Sequence, residues 1–236
     1  AAFKIKIPQV SEYGKEDLLA FEKEVLGVYI SGHPLEEYVA TLEKNITRTT
    51  ADFEVVDGET EPKVKDQERA VIGGMITGRT VKATRTNNMM AFLTVEDLYG
   101  TVEVIVFPRD YEKYRTLLEE DAKVFIQGRV TVEEDKPAKL ICSGVVPFDA
   151  VEKELWIQFL TRADYEEAEQ TLFAILGNYD GIENVYIYLS KDRARKLLPK
   201  SRCTKVCKEL LSELYTKFGE DNVKVTEKSI EKKFRA

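Results

Sequence analysis

Apolar positions change their period twice along the chain. Over residues 12–44, Leu18, Leu19, Phe21, Val25 and Leu26 recur at the spacing of one helix face. Gly27 follows, and Gly32-His33-Pro34 interrupts the run. Pro34 suits the first turn of a second helix. Glu36 and Glu37 then sit where the helix dipole favours acids, and Leu35, Tyr38, Val39 and Leu42 form its apolar side. Residues 50–67 hold Gly58 and Pro62 without a strong apolar period. They read as a linker, in which Phe53-Glu54-Val55-Val56 is an extended piece able to dock.

From Ala70 the pattern is that of strands. Residues 70–79 are rich in β-formers, with glycines that permit bending or bulges. Residues 84–88 read as a loop, and residues 89–95, 101–107, 122–132 and 138–146 as strands. Residues 108–118 read as a helix that opens on Pro108 and carries Tyr111, Tyr114, Leu117 and Leu118 as its buried stripe. Three strands, one helix and two strands is the order of a five-stranded OB barrel, whose helix lies between strands three and four. Beyond it, strands (155–159, 185–189, 223–225) alternate with helices (163–176, 204–218). Residues 193–198 pair beside the second of these strands, and a charged, frayed tail starts at Glu227. The predicted architecture is multidomain: a helical segment and linker over 1–67, an OB-fold β-barrel over 68–148, and a small α+β domain over 149–236.

The net charge is −7, but its distribution matters more than its sum. Residues 1–67 carry 8 basic and 14 acidic side chains. Residues 69–95 hold Arg69, Arg79, Lys82 and Arg85 with no acid before Glu96, and residues 191–208 hold eight basic residues against Asp192 alone. An acidic chain thus carries two basic patches. The cysteines are Cys142, Cys203 and Cys207, a low, odd number that points to a reducing, cytoplasmic setting. Cys203 and Cys207 are spaced to share a helix face, but zinc wants further ligands and the single histidine, His33, is far away. No metal and no cofactor are expected. No run of ~18 apolar residues exists to span a membrane. No phosphate loop or Gly-x-Ser-x-Gly elbow is present, and His33 at a helix entry reads as structural. No catalytic residues are expected.

The segment from Glu22 to Leu35, with Val25-Leu26-Gly27-Val28-Tyr29-Ile30-Ser31-Gly32-His33-Pro34 at its centre, resembles the bacterial DNA polymerase III alpha subunit family just before its OB domain. Met90-Ala91-Phe92-Leu93-Thr94-Val95-Glu96-Asp97-Leu98-Tyr99-Gly100 and Val102-Glu103-Val104-Ile105-Val106-Phe107 are similar to that domain's second and third strands, and the unit beginning at Leu155-Trp156-Ile157 to the family's C-terminal domain. The resemblance, and a start at Ala1-Ala2-Phe3-Lys4 without Met, imply a non-catalytic piece of a DNA-directed DNA polymerase. It implies single-stranded template as ligand of the barrel, the clamp-loader tau subunit as partner of the last domain, and a sliding-clamp motif upstream of Ala1.

OB barrels bind single strands across strands two and three and the flanking first and last loops. If Leu93 and Val95 face the core, alternation puts Phe92 and Thr94 outside, with Phe92 as a stacking platform. On the next strand Val102, Val104 and Val106 read as core. Arg79, Lys82, Arg85, Asn87 and Asn88 would line the first strand and loop, and Arg129 and Lys136 would complete the groove. Glu96 and Glu103 on the same face would weaken binding. Lys200, Arg202, Lys205 and Lys208 are the candidate partner contacts of the last domain. Two alternatives stand beside this reading. Phe92, Val95, Asp97 and Gly100 also fit an anticodon-binding OB module that takes tRNA, and the barrel could instead bind protein alone.

Overall fold

A computed structural model describes residues 13–27, 29–55, 61–134 and 136–235. Ala1 to Lys4, Val28, Val56 and Gly58, used above, lie outside them. The chain divides into two compact units, residues 1–145 and 146–236.

In the first unit α1 (Lys15–Leu26) stops at Gly27, whose φ of 77° is the left-handed conformation that glycine adopts without penalty. The second predicted helix is shorter than expected: a 3-10 turn (Glu36–Tyr38) leads into α2 (Val39–Asn45). The barrel strands are β1 (Arg69–Ala83), β2 (Met89–Glu96), β3 (Thr101–Val106), β4 (Lys123–Thr131) and β5 (Lys139–Pro147). They close in the order β1-β2-β3-β5-β4, with β3 and β5 parallel. The helix α3 (Pro108–Tyr114) lies between β3 and β4 in sequence. It tightens into a 3-10 turn (Arg115–Leu117) where a continuous helix was predicted, and Leu118 follows fully buried.

A register shift between Ile76 and Gly78 divides β1. Its first half pairs with β4 and its second with β2, so one bulged strand serves both sides of the barrel. Two glycines permit the close approach that closure requires. A Cβ on Gly74 would lie 2.4 Å from the Glu96 carbonyl oxygen, and one on Gly128 2.4 Å from that of Ile141. Ile72, Leu93, Val95, Val104, Ile126 and Leu140 fill the core.

The stretch read as a linker contributes to that core. Thr50–Phe53 is a 3-10 helix, opened by a reciprocal cap between Thr49 and Asp52, where an extended piece beginning at Phe53 was expected. Phe53 and Val64 are buried among the barrel residues, and the Phe53 carbonyl accepts from Ala138 N at 2.8 Å. Composition concealed this because two apolar anchors suffice to dock a polar segment.

The second unit is a four-stranded sheet in the order β8-β7-β6-β9. It is built from β6 (Lys153–Phe159), α4 (Arg162–Leu176), β7 (Asp180–Leu189), β8 (Ala194–Leu197), α5 (Lys208–Phe218) and β9 (Val223–Glu227). Leu155, Ile157, Val185, Ile187 and Val223 pack on Leu172, Leu176, Leu210 and Leu214 of the helices. The last helix starts later than predicted. Thr204 is buried, its hydroxyl donates to the Tyr179 carbonyl at 2.8 Å, and it bridges Asp180 and Glu183, which holds residues 203–206 out of the helix. Cys203 and Cys207 therefore do not share a helix face; Cys207 is the N-cap of α5. The tail is less frayed than expected: Ile230–Arg235 is a 3-10 helix with Ile230 buried.

Candidate nucleic-acid interface

Directly paired residues on neighbouring strands share a face of the sheet. Leu93 and Val95 are in the core, so Phe92 and Thr94 stand on the outer face of the barrel. The register extends this face sideways: Thr80, Phe92, Ile105 and Ile141 form one row across β1, β2, β3 and β5. Phe92, Ile105 and Ile141 are half-buried, which leaves an apolar stripe on the outside. On one side of this row lie Lys82 and Met90, on the other Thr94 and Glu103. The Lys82 ammonium is 5.2 Å from the Phe92 ring centre, so a cation and an aromatic face sit together.

The adjoining loop is held by its own backbone. Thr84 N donates to the Asn88 carbonyl at 2.8 Å, and Asn88 N donates to the Thr84 hydroxyl at 3.2 Å. Asn87 occupies the left-handed region at φ 60°, which asparagine tolerates better than most residues. Arg85, Asn87 and Asn88 project exposed from this loop.

Both carboxylates expected to oppose an anion here are engaged by the protein. Glu103 pairs with Lys139 at 2.8 Å, and this contact holds the Lys139 ammonium above its usual range. Glu96 meets His33 Nε2 at 3.3 Å and Lys23 at 3.9 Å. His33 Nδ1 accepts from Leu35 N at 3.1 Å, which leaves the proton on Nε2, facing Glu96. His33 thus ties the segment before the barrel to the end of β2.

Arg79 stands apart from the other residues proposed for this face. It is opposite Leu93 and shares its side. Its guanidinium donates to Tyr111 Oη at 3.1 Å and to Glu119 at 2.5 Å, so α3 and the turn after it occupy its hydrogen-bonding edge. Arg129 donates to the Gln67 side-chain oxygen at 3.2 Å on the β1–β4 side, and Lys136 pairs with Glu133 at 2.6 Å. Lys82, Arg85, Asn87, Asn88, Phe92 and Thr94 therefore lie together, whereas Arg79 and Lys136 are ion-paired elsewhere and Arg129 stands on the β1–β4 side. Thr80, Met90, Ile105 and Ile141 belong to the face and were not among the expected site residues. Alternation along each strand would have exposed them once the register was known.

Asp97 holds the β2–β3 turn. It is buried, and its carboxylate accepts from Tyr99 N (2.7 Å), Gly100 N (3.1 Å), Thr50 N (2.8 Å) and Thr50 Oγ1 (2.5 Å). The Phe-x-x-Val-x-Asp-x-x-Gly spacing thus has a structural cause, because Asp97 and Gly100 close the turn and Asp97 also anchors the segment before the barrel.

In the second unit the basic run divides. Lys196 and Arg202 lie over the Tyr165 and Phe173 rings of α4 at 4.9 and 4.2 Å. Lys200 and Lys205 are exposed on the turn and the segment leading into α5, and Lys208 is exposed on the first residue of that helix. Arg195, paired with Tyr188, points to the sheet face opposite the helices. That face carries Trp156 stacked on Tyr186 (4.4 Å, 8° between planes), together with Tyr188, Leu197 and Lys224.

Comparison with known proteins accords with the barrel. Residues 70–148 match the model of the OB-fold nucleic acid binding domain. The DNA polymerase III alpha subunit of Borreliella burgdorferi is 30% identical over 190 residues, 77% of this chain and 16% of that protein. The Bacillus subtilis subunit is 29% identical over 226 residues (94% and 19%), and that of Aquifex aeolicus 38% identical over 140 residues (59% and 11%). This chain is similar to a part of the DNA polymerase III alpha subunits. It spans less than a fifth of the length of these three relatives. Among solved structures, the mitochondrial single-stranded DNA binding protein Rim1 of S. cerevisiae aligns at 14% identity and TM-score 0.29, covering 36% of this chain and 96% of that one. Among the described residues, no helix is long and apolar enough to cross a membrane, and no group of three or more His, Cys, Asp or Glu is placed to hold a metal.

Proposed function

We propose that the barrel binds single-stranded DNA on the outer face of β2 and β3, as an accessory grip on template within a replicative polymerase. The observation that carries this reading is the row Thr80–Phe92–Ile105, with Lys82 beside it and the carboxylates of Glu96 and Glu103 engaged by His33 and Lys139. An aromatic ring beside an exposed cation serves base stacking and phosphate attraction together. With few cations on the face, binding is weak, sequence-tolerant and salt-sensitive. By this reading the whole protein is a DNA-directed DNA polymerase working in the cytoplasm, and this part performs no chemistry. Fluorescence anisotropy with labelled oligo-dT, with tRNA as competitor, tests it. Oligo-dT binds at low salt and tRNA competes poorly. Binding of tRNA in preference moves the barrel to the anticodon-binding class.

The second unit, by the same reading, docks the clamp-loader tau subunit. The open sheet face supports this: Trp156, Tyr186, Tyr188 and the exposed Leu197 are apolar groups that a solvated sheet face seldom displays together. Capture of purified tau by the chain is expected to be lost in a Trp156→Ala/Tyr188→Ala variant. Capture that survives both changes removes this face from the interaction.

A further inference from the structure

We propose that the barrel carries a second phosphate-binding subsite, in the groove on the β1–β4–β5 side, where Arg69 and Arg129 stand opposite each other. This deepens the single-strand reading and rests on it for the identity of the ligand as a nucleic-acid backbone.

Arg69 and Arg129 are direct cross-strand partners, both exposed. Like charges in that position destabilise a sheet unless an anion lies between them. Among the described residues neither arginine has an ion pair. The neighbouring carboxylates are engaged elsewhere: Glu68 with Arg48 at 2.8 Å, and Asp66 with Val132 N at 3.1 Å. Gln67 holds a left-handed φ of 63°, a conformation that strains a residue other than glycine, and its side-chain oxygen takes the Arg129 guanidinium at 3.2 Å. The strained residue thus orients one member of the pair.

The groove these residues line has a volume of about 450 Å³, the scale of a nucleotide-sized ligand. Ile141 in its lining is half-buried and apolar, and it is also the β5 end of the row that begins at Thr80 and Phe92. The stacking stripe and the arginine pair are therefore continuous around the barrel. Three strand spacings of ~4.8 Å separate β2 from β4 along this path, about 14 Å. A single strand stacked at Phe92 would be led along Ile105 and Ile141 and held by its phosphates between the two arginines.

The test compares the wild-type chain with an Arg69→Ala/Arg129→Ala variant. Oligo-dT affinity is measured against salt, and melting temperature against inorganic pyrophosphate. The variant should bind about tenfold more weakly at low salt, with the salt slope reduced by about 1.4, the equivalent of two phosphates on a single strand. Pyrophosphate should raise the wild-type melting temperature and leave that of the variant unchanged. The single variants Arg69→Gln and Arg129→Gln should melt at or above the wild-type temperature at low salt, because each relieves repulsion. An unchanged salt slope together with an unchanged pyrophosphate response overturns the proposal. So does a lower melting temperature in both Gln variants with no loss of binding, because the arginines are then structural. If pyrophosphate acts through the arginines while the wild type binds no oligo-dT, the groove stands as a phosphate site and the single-strand reading falls.

Discussion

Asp97→Ala is expected to destabilise the first unit by about 3 kcal/mol, from the loss of charge-assisted hydrogen bonds inside a buried site. Four donors converge on this carboxylate, two from the β2–β3 turn and two from Thr50. Alanine leaves the Thr50 amide and hydroxyl facing an apolar gap, and Thr50 is itself fully buried. Asp97→Asn is milder. Its single carbonyl oxygen can take the place of Oδ1, which serves Thr50 Oγ1, Tyr99 N and Gly100 N, but its amide nitrogen then faces the Thr50 N–H. About half the loss is expected. Urea denaturation monitored by circular dichroism measures both. A shift below about 1 kcal/mol for the alanine variant would show that the turn and the preceding segment do not depend on this anchor.

Phe92→Ala is expected to weaken oligo-dT binding by roughly tenfold or more, since one base stacked on an aromatic ring contributes ~1–3 kcal/mol. The barrel should remain folded, because Phe92 is outward and half-buried while Ala91 and Leu93 on either side of it face the core. Phe107→Ala is the control: that ring is 45% exposed but lies beyond β3, outside the row. Its loss should leave affinity unchanged. Equal losses in the two variants would mean that exposed apolar area, and not the Phe92 position, drives the interaction.

The residues that were legible in the sequence are those fixed by local pattern. Val102, Val104 and Val106 recur at every second position of β3, and the same alternation on β2 places Phe92 and Thr94 outside as directly as it places Leu93 and Val95 inside. Pro108 marks the start of α3 for the equally local reason that proline suits a first helical turn. What depended on pairing register was not legible. Arg79 read as one cation of a basic strand, yet the bulge before Gly78 puts it opposite Leu93, within reach of Tyr111 and Glu119. Ile141 read as an ordinary strand residue, and only the parallel pairing of β5 with β3 brings it into line with Ile105 and Phe92. Arg69 was counted as charge, but its position across from Arg129 follows from the β1–β4 register. Phe53 and Val64 lay in a stretch whose acidity hid the apolar side chains that enter the core. Long-range contacts of this kind carry no periodic signal.

The most direct measurement is photo-crosslinking of the chain to an oligo-dT carrying 5-iodouracil, followed by peptide mapping. Adducts are expected in the β2 peptide, at Phe92 and Met90, that disappear in the Phe92→Ala variant and diminish as salt rises. Adducts confined to other surfaces, or an unchanged pattern without Phe92, would contradict this expectation.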